Sequence, residues 1–405
     1  MATIALSKTE KGLSKTENRR LMLLTLILFG AYLCVAISLP IVSVFVTGPL
    51  GLNNTMAGLA VGITFFSSII TRGYAGRLSD RLGPKQALGR GLAYYALGAL
   101  VSLIAGLCVS NVYLSYSILL CGRLLLGVGG SLGGVGIIAW SVGIAGPSRS
   151  GKILALLGVA IYGALAFGAP AGLWVCNTAG YTGAMMISAL LPCLGLLAML
   201  PLTGVAPHPG AKQPSLRVIL GEIWPYGLVV CLQGIGFATI GAFFVPYFID
   251  QNWAMAGLGF TAFGGGFVFI RVVCGHLPDK FGGLVLSGYS LLIESAGQYL
   301  IGYATSPLEA IAGAFLTGVG CSLIFPAMGR EVVQRVLPQF RGIALGGFSA
   351  FQDIAYGLTG PVAGYFADGY GYSLVFLAGG VAASAGCVIS FCLKRNNPAP
   401  DSMTH

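Results

Sequence analysis

The sequence predicts an all-α membrane protein with twelve transmembrane helices in two pseudo-symmetric six-helix halves. Three observations carry that prediction. First, only 8% of the 405 residues are charged while 56% are hydrophobic, against about 25% charged in a soluble domain. Second, the apolar runs reach the ~20 residues that a bilayer crossing needs. Third, a charged motif occurs twice: R-G-Y-A-G-R-L-S-D-R-L-G at 72–83 and R-V-V-C-G-H-L-P-D-K-F-G at 271–282, in register 199 residues apart. A charged turn repeated half a chain later, within so apolar a chain, is the mark of a transporter built from related halves.

The segments follow in order. Residues 20–46 form the first; 21–46 hold no charge, a run longer than the apolar stretch of a secretory leader. Then come 55–73, 87–109, 113–141, 153–175 and 182–201 in the first half. The second half has 218–248, 257–275, 284–303, 308–336, 343–366 and 373–393. Lipid offers a backbone no hydrogen-bond partners, so these are helices. Unbroken apolar runs argue against a barrel. The flanking pieces are an unstructured tail at 1–19, a linker at 202–217 rich in Pro207, Pro209, Gly210 and Pro214, and a tail at 394–405. The halves also match at a 191-residue offset: G-V-G-G-S-L at 127–132 with G-V-G-C-S-L at 318–323, and Pro170 with Pro361.

Charge sets the orientation. With the N-terminus inside, 21 of the 22 Lys and Arg residues fall on the inner side, in loops, tails or the inner ends of segments, and Arg123 within the fourth segment is the other. That is the positive-inside pattern, and it predicts cytoplasmic termini. It also accounts for the net charge of +10 as leaflet anchoring, with no nucleic-acid partner expected. The ten cysteines sit in or beside apolar segments and contain no C-x-x-C pair, so they read as packing residues.

At this point the residues resemble the major facilitator superfamily. G-R-L-S-D-R-L-G-P-K at 76–85 resembles its signature between helices 2 and 3, with Pro84 where a basic residue is common. C-G-R-L-L-L-G-V-G-G at 121–130 resembles its helix-4 arginine motif, with Leu126 where glutamine is frequent. G-A-P-A-G at 168–172 is similar to a degraded helix-5 antiporter motif, and G-L-T-G-P-V-A-G at 357–364 repeats the idea. The resemblance covers 18–396 and is closest to the bacterial drug and sugar efflux branch, near arabinose-efflux-like permeases. It implies alternating access in a bacterial inner membrane by a chain working as a monomer. Gly76, Asp80, Arg81 and Gly83, with Gly275, Asp279, Lys280 and Gly282, become a gating loop motif in which Asp80 meets the N-terminus of segment 11. Gly168, Pro170 and Gly172, with Gly360, Pro361 and Gly364, become a helix-bending motif.

Intramembrane charges point to function because each costs about 2.5–3.5 kcal/mol on insertion scales. Asp353 is the first proton-site candidate, with a structural carboxylate as the alternative. Arg123 stays charged and is expected to assist it, or to tie helices together. Glu294 and Glu331 are further candidates that read more readily as structural. Tyr32, Gln233, Tyr247, Gln352 and Tyr356 are possible substrate contacts or interhelical ties. Segment 1 has no acid, unlike several multidrug antiporters of the branch, which leaves sugars, anionic or zwitterionic metabolites and small chelators in view. No phosphate-binding loop, H-E-x-x-H or G-x-S-x-G occurs, so neither an enzyme, a metal site nor a cofactor is expected. The energy source is then an ion gradient, worth about 2.3 kcal/mol per charge across 100 mV, or the solute's own gradient. Proton-coupled export of a small polar or amphipathic solute is the first reading. Proton-coupled or facilitative import, and a receptor that keeps the fold without flux, are the alternatives.

Overall fold

The computed structural model describes residues 14–146, 149–206, 216–275, 277–336 and 341–396, and among them all regular structure is helical. In the first half, α1 (Lys15–Thr47), α2 (Asn54–Leu82), α3 (Pro84–Leu107) and α4 (Val112–Ala145) are followed by the 50-residue α5 (Ser150–Met199). The second half holds α6 (Leu216–Asp250), α7 (Ala256–Cys274), the one-turn α8 (Leu277–Phe281), α9 (Gly283–Gly302), α10 (Pro307–Arg335), α11 (Arg341–Tyr370) and α12 (Tyr372–Asn396).

Helix α5 contains the fifth and sixth expected segments. Fifty residues of helix span about 75 Å, far more than one ~30 Å crossing. Gly180 breaks it, with φ 72° and ψ 178°, a conformation essentially confined to glycine. The chain therefore crosses twelve times, and both ends leave on one side, here called the terminal face. Gly371 (φ 83°) turns α11 into α12 in the same way, and Gly83 (φ 91°) and Gly282 (φ 80°) are the paired turns on the terminal face. Each pair keeps its repeat offset. Among the described residues, nine helices meet the length and hydropathy of a span on their own. Helix α9 is not among them because it carries Glu294 and Gln298.

Several boundaries differ from expectation. The N-terminal tail is helical from Lys15, because Ser14 and Glu17 close a capping box: the Glu17 amide donates to Ser14 Oγ (3.2 Å) and the Ser14 amide to Glu17 Oε2 (2.8 Å). The second segment, expected to end at 73, continues to Leu82. The first copy of the charged motif is thus helix rather than loop, up to Gly83, since it contains no proline and carries Gly73 and Gly76 within the helix. Arg72 lies inside the helix, not at its inner end. The second copy does break, between α7 and α8, where Pro278 lacks the amide hydrogen that Ser79 supplies. Most of the expected linker, 207–215, lies outside the described residues.

Packing divides the molecule by depth. Toward the face opposite the termini, both halves share one apolar core: Val42, Phe45 and Ala57 of the first half with Phe243, Phe248, Phe260 and Phe376 of the second. Toward the terminal face each half keeps its own. One is built on Leu24, Leu92 and Trp140, the other on Ile223, Ile324, Met328 and Phe348. Among the described residues, the halves are joined at the opposite face and separate toward the terminal one. The join is capped by Asp368 of α11, whose carboxylate accepts from the amides of Asn54 (2.8 Å) and Thr55 (3.0 Å) at the start of α2, and from the Thr55 hydroxyl (2.8 Å). The Tyr372 hydroxyl donates to Asn54 Oδ1 (2.7 Å). All ten cysteines are free.

Candidate substrate and coupling site between the halves

Two helix pairs make the main contacts between the halves, α2 with α11 and α5 with α7, and α1 adds a smaller one against α6. Glycine makes the first contact possible. A Cβ on Gly58 would press on the carbonyl of Gly360, and one on Gly62 on that of Gly357. The backbones touch, as small residues allow in lipid. Nearer the terminal face the contact becomes ionic: Arg72 of α2 donates from Nη2 to Asp353 Oδ2 and from Nη1 to Ser349 Oγ, both on α11. The side chains retain 27% and 13% exposure, so the pair is largely withdrawn from solvent.

An aromatic and amide layer surrounds this pair. Tyr32 of α1 is buried within electrostatic range of both Arg72 and Asp353. Tyr356, one turn past Asp353, packs on Phe65 (5.0 Å between ring centroids) and Phe237 (4.6 Å). Gln352 donates to the Gln233 side-chain oxygen (3.1 Å), tying α11 to α6. Four of the proposed substrate contacts, Tyr32, Gln233, Gln352 and Tyr356, therefore gather around Asp353. Tyr247 does not. It packs on Trp253 (5.4 Å) and Phe376 (5.4 Å) in the aromatic core toward the opposite face.

The other charges stand apart. Arg123 is 1% exposed and is not brought to Asp353. Its Nε donates to the Ala60 carbonyl (3.1 Å) and its Nη1 to Ser38 Oγ (3.0 Å), joining α4 to α2 and α1. Its Nη2 has no acceptor among the described residues. Glu294 is fully buried between α9, α6 and α10 against Gly236 and Gly320, with the Cys321 thiol of α10 beside its carboxylate. Glu331 is committed locally: Oε1 accepts from the Gly283 amide (3.0 Å) at the start of α9, and Oε2 from Arg335 (3.0 Å).

The glycines of the helix-bending motif stand at close helix contacts. Gly168 and Gly172 lie where a Cβ would meet Ala36 and Ile37 of α1, and a Cβ on Gly257 of α7 would meet Pro170. Gly360 and Gly364 do the same against Gly58 and Asn54 of α2. These glycines set close helix approach, and Pro170 and Pro361 stay inside continuous helices. Asp80 is half-buried with no hydrogen bond to a described residue; the side chains of Asp279 and Arg341 lie outside the described residues. Gly76 has open space around it, Arg81 is exposed, and Lys280 lies over Phe281 (5.3 Å). A Cβ on Gly275 would press on the Arg271 carbonyl.

Sequence reasoning missed Arg72, Ser349, Tyr162 and Arg271. The signal was present: both motif copies open on an arginine placed about three turns inside the apolar side of the turn glycine.

Comparison with known proteins agrees with this architecture. The family model described as Major Facilitator Superfamily matches residues 24–283 and 226–404. An uncharacterized MFS-type transporter of Salmonella typhimurium is 38% identical over 370 residues, covering 91% of this chain and 95% of that one. One from Burkholderia mallei is 36% identical over 367 residues, covering 91% and 90%. Among solved structures, a D-xylose-proton symporter superposes with a TM-score of 0.75 at 16% identity over 93% of this chain and 97% of that one, a likeness of fold. The chain belongs to the major facilitator superfamily, as a multi-pass membrane transporter and not an enzyme.

Proposed function

We propose that this transporter exports a small polar or amphipathic solute from the bacterial cytoplasm by alternating access, coupled to inward proton movement through Asp353. The Arg72–Asp353 pair carries the reading. It is an ion pair between helices of opposite halves, surrounded by the hydroxyls and amides of Tyr32, Tyr356, Gln233 and Gln352. Protonating Asp353 removes one charge of that strap, so proton binding and the relative position of the halves become linked. A solute held among the same groups competes for or completes their hydrogen bonds, which ties solute to proton. The separation of the halves toward the terminal face, together with the basic residues there, fits a cavity open to the cytoplasm in a monomer of the inner membrane with both termini inside. No cofactor enters this scheme.

Import has one observation in its favour, the fold shared with a proton symporter, and the ion pair is indifferent to direction. Proton movement in inside-out vesicles holding a preset pH gradient separates the cases. A panel of pentoses, amino acids, chelators and lipophilic drugs is added, with Asp353→Asn vesicles alongside. A compound that dissipates the gradient only with the native chain supports antiport. Solute uptake into whole cells driven by an imposed inward gradient, with no effect in the vesicles, overturns export in favour of symport.

A further inference from the structure

The two contacts between the halves are related by the internal repeat, and they differ in charge. Arg72 of α2 and Arg271 of α7 correspond at the 199-residue offset, and α5 and α11 correspond at the 191-residue offset that pairs Pro170 with Pro361. The same offset pairs Gly158 with Ser349 and Tyr162 with Asp353. The structure honours this mapping. Where Arg72 meets Ser349 and Asp353, Arg271 meets Gly158 and Tyr162. A Cβ on Gly158 would stand 3.5 Å from Arg271 Nη1, and the Tyr162 ring stacks on Phe267, the ring that the guanidinium also covers. The second interface therefore holds an arginine in the place where the first holds an ion pair, with a glycine and a tyrosine where hydroxyl and carboxylate would be.

Arg271 is held firmly. Its Nη2 donates to the Ser322 carbonyl (2.6 Å), its Nε lies 3.4 Å from Ser322 Oγ, and its guanidinium covers Phe267 at 5.1 Å. Nη1 has no acceptor among the described residues, and it is not sealed from solvent. No described carboxylate pairs with Arg271. An arginine at membrane depth stays charged and requires a counter-charge or water. Its fork suits a carboxylate, phosphonate or phosphate. The neighbouring walls, Tyr162, Phe267 and Phe237, suit a flat or apolar body.

We propose that Arg271 binds the anionic group of the transported solute, which takes at α7 the place that Asp353 takes at α2. The substrate class is then a small organic anion with an apolar or aromatic portion. This assignment rests on the transporter reading above and adds the substrate's charge to it.

The test uses the purified full chain in detergent and in proteoliposomes. The probes are benzoate, succinate and methylphosphonate, each beside its neutral amide or ester. At least one anion raises the melting temperature where its neutral counterpart does not, and it weakens at least about tenfold in Arg271→Gln, the scale of losing a charge-assisted hydrogen bond. Arg271→Lys retains part of the response. Tyr162→Asp leaves Arg271 in place and supplies the missing carboxylate. It lowers affinity for the anion as strongly as Arg271→Gln and several-fold further than Tyr162→Asn, which removes the same stacked ring without supplying a charge, and that difference separates occupancy of the site from loss of packing. Equal response to anions and neutral counterparts, response to none of the anions, or anion binding indifferent to both substitutions overturns the proposal. Flux of a neutral solute that survives Arg271→Gln overturns it too while leaving transport standing. Absence of flux for every solute strikes the transporter reading instead.

Discussion

Replacing Asp353 with asparagine keeps the shape of the side chain and removes its charge and its proton. Breaking a fully buried ion pair by removing one partner costs about 3–5 kcal/mol, and an exposed pair contributes about 0–1 kcal/mol. With the two side chains 27% and 13% exposed, about 1–3 kcal/mol is the appropriate range. Because Arg72 and Asp353 belong to opposite halves, that energy bears on the equilibrium between arrangements of the halves, a factor of about 5–150. The assay is solute-driven proton movement in proteoliposomes, with labelling of single cysteines on the terminal face to report the arrangement. Asp353→Asn loses solute-driven proton movement while solute exchange persists, and terminal-face labelling changes by a factor within that range. Arg72→Gln shifts labelling in the same direction, and the double variant goes no further than the larger single one. Unchanged proton coupling in Asp353→Asn refutes Asp353 as the carrier. Additive effects in the double variant refute the strap.

Gly58→Ala places a methyl against the Gly360 backbone; an overpacking cost of about 1–3 kcal/mol lowers the melting temperature and reduces cross-linking between cysteines placed on α2 and α11. Asp368→Ala strips the cap from α2, costs about 0.5–2 kcal/mol, and raises labelling of cysteines on the face opposite the termini. Asp80→Asn slows turnover more than it weakens solute binding; normal turnover with weakened binding argues against a gating role for this residue. Tags on both termini are accessible only from the cytoplasm, and an externally accessible C-terminus contradicts the proposed orientation.

The fold was legible because the bilayer imposes length and apolarity on every crossing, and the repeat offsets survive in the chain. The turn glycines were legible too: Gly83 and Gly282 were placed by motif, and the gap expected between the fifth and sixth segments contains Gly180, whose backbone angles divide the 50-residue α5. The site was half legible. Asp353 stood out as a carboxylate in an apolar run. Its partner did not, because Arg72 was assigned to the inner end of its segment with the other charges of the motif. A helix that ends ten residues later changes that assignment entirely. Arg123 was expected near Asp353 because both are charges within segments, but depth along α4 places it with Ser38 and Ala60 instead. Helix faces decide such pairings, and at glycine-rich helices with apolar residues on every side the sequence carries little periodicity to reveal them. Tyr247 illustrates the same limit, since its hydroxyl said nothing of the aromatic packing that holds the ring.

The cap on α2 has a consequence for how the chain is made. Asn54 and Asp368 are separated by 314 residues. At about 5–20 residues per second, the ribosome reaches the second about 15–60 s after the first. During that interval α2 is inserted with the amides of Asn54 and Thr55 satisfied only by water, and Gly58 and Gly62 face lipid rather than α11. The first half is therefore born unfinished, and a segment synthesised near the end of the chain completes it. Truncation before residue 368 leaves the first half inserted but unlatched beside a second half that lacks α12, the form a membrane quality-control protease is equipped to recognise.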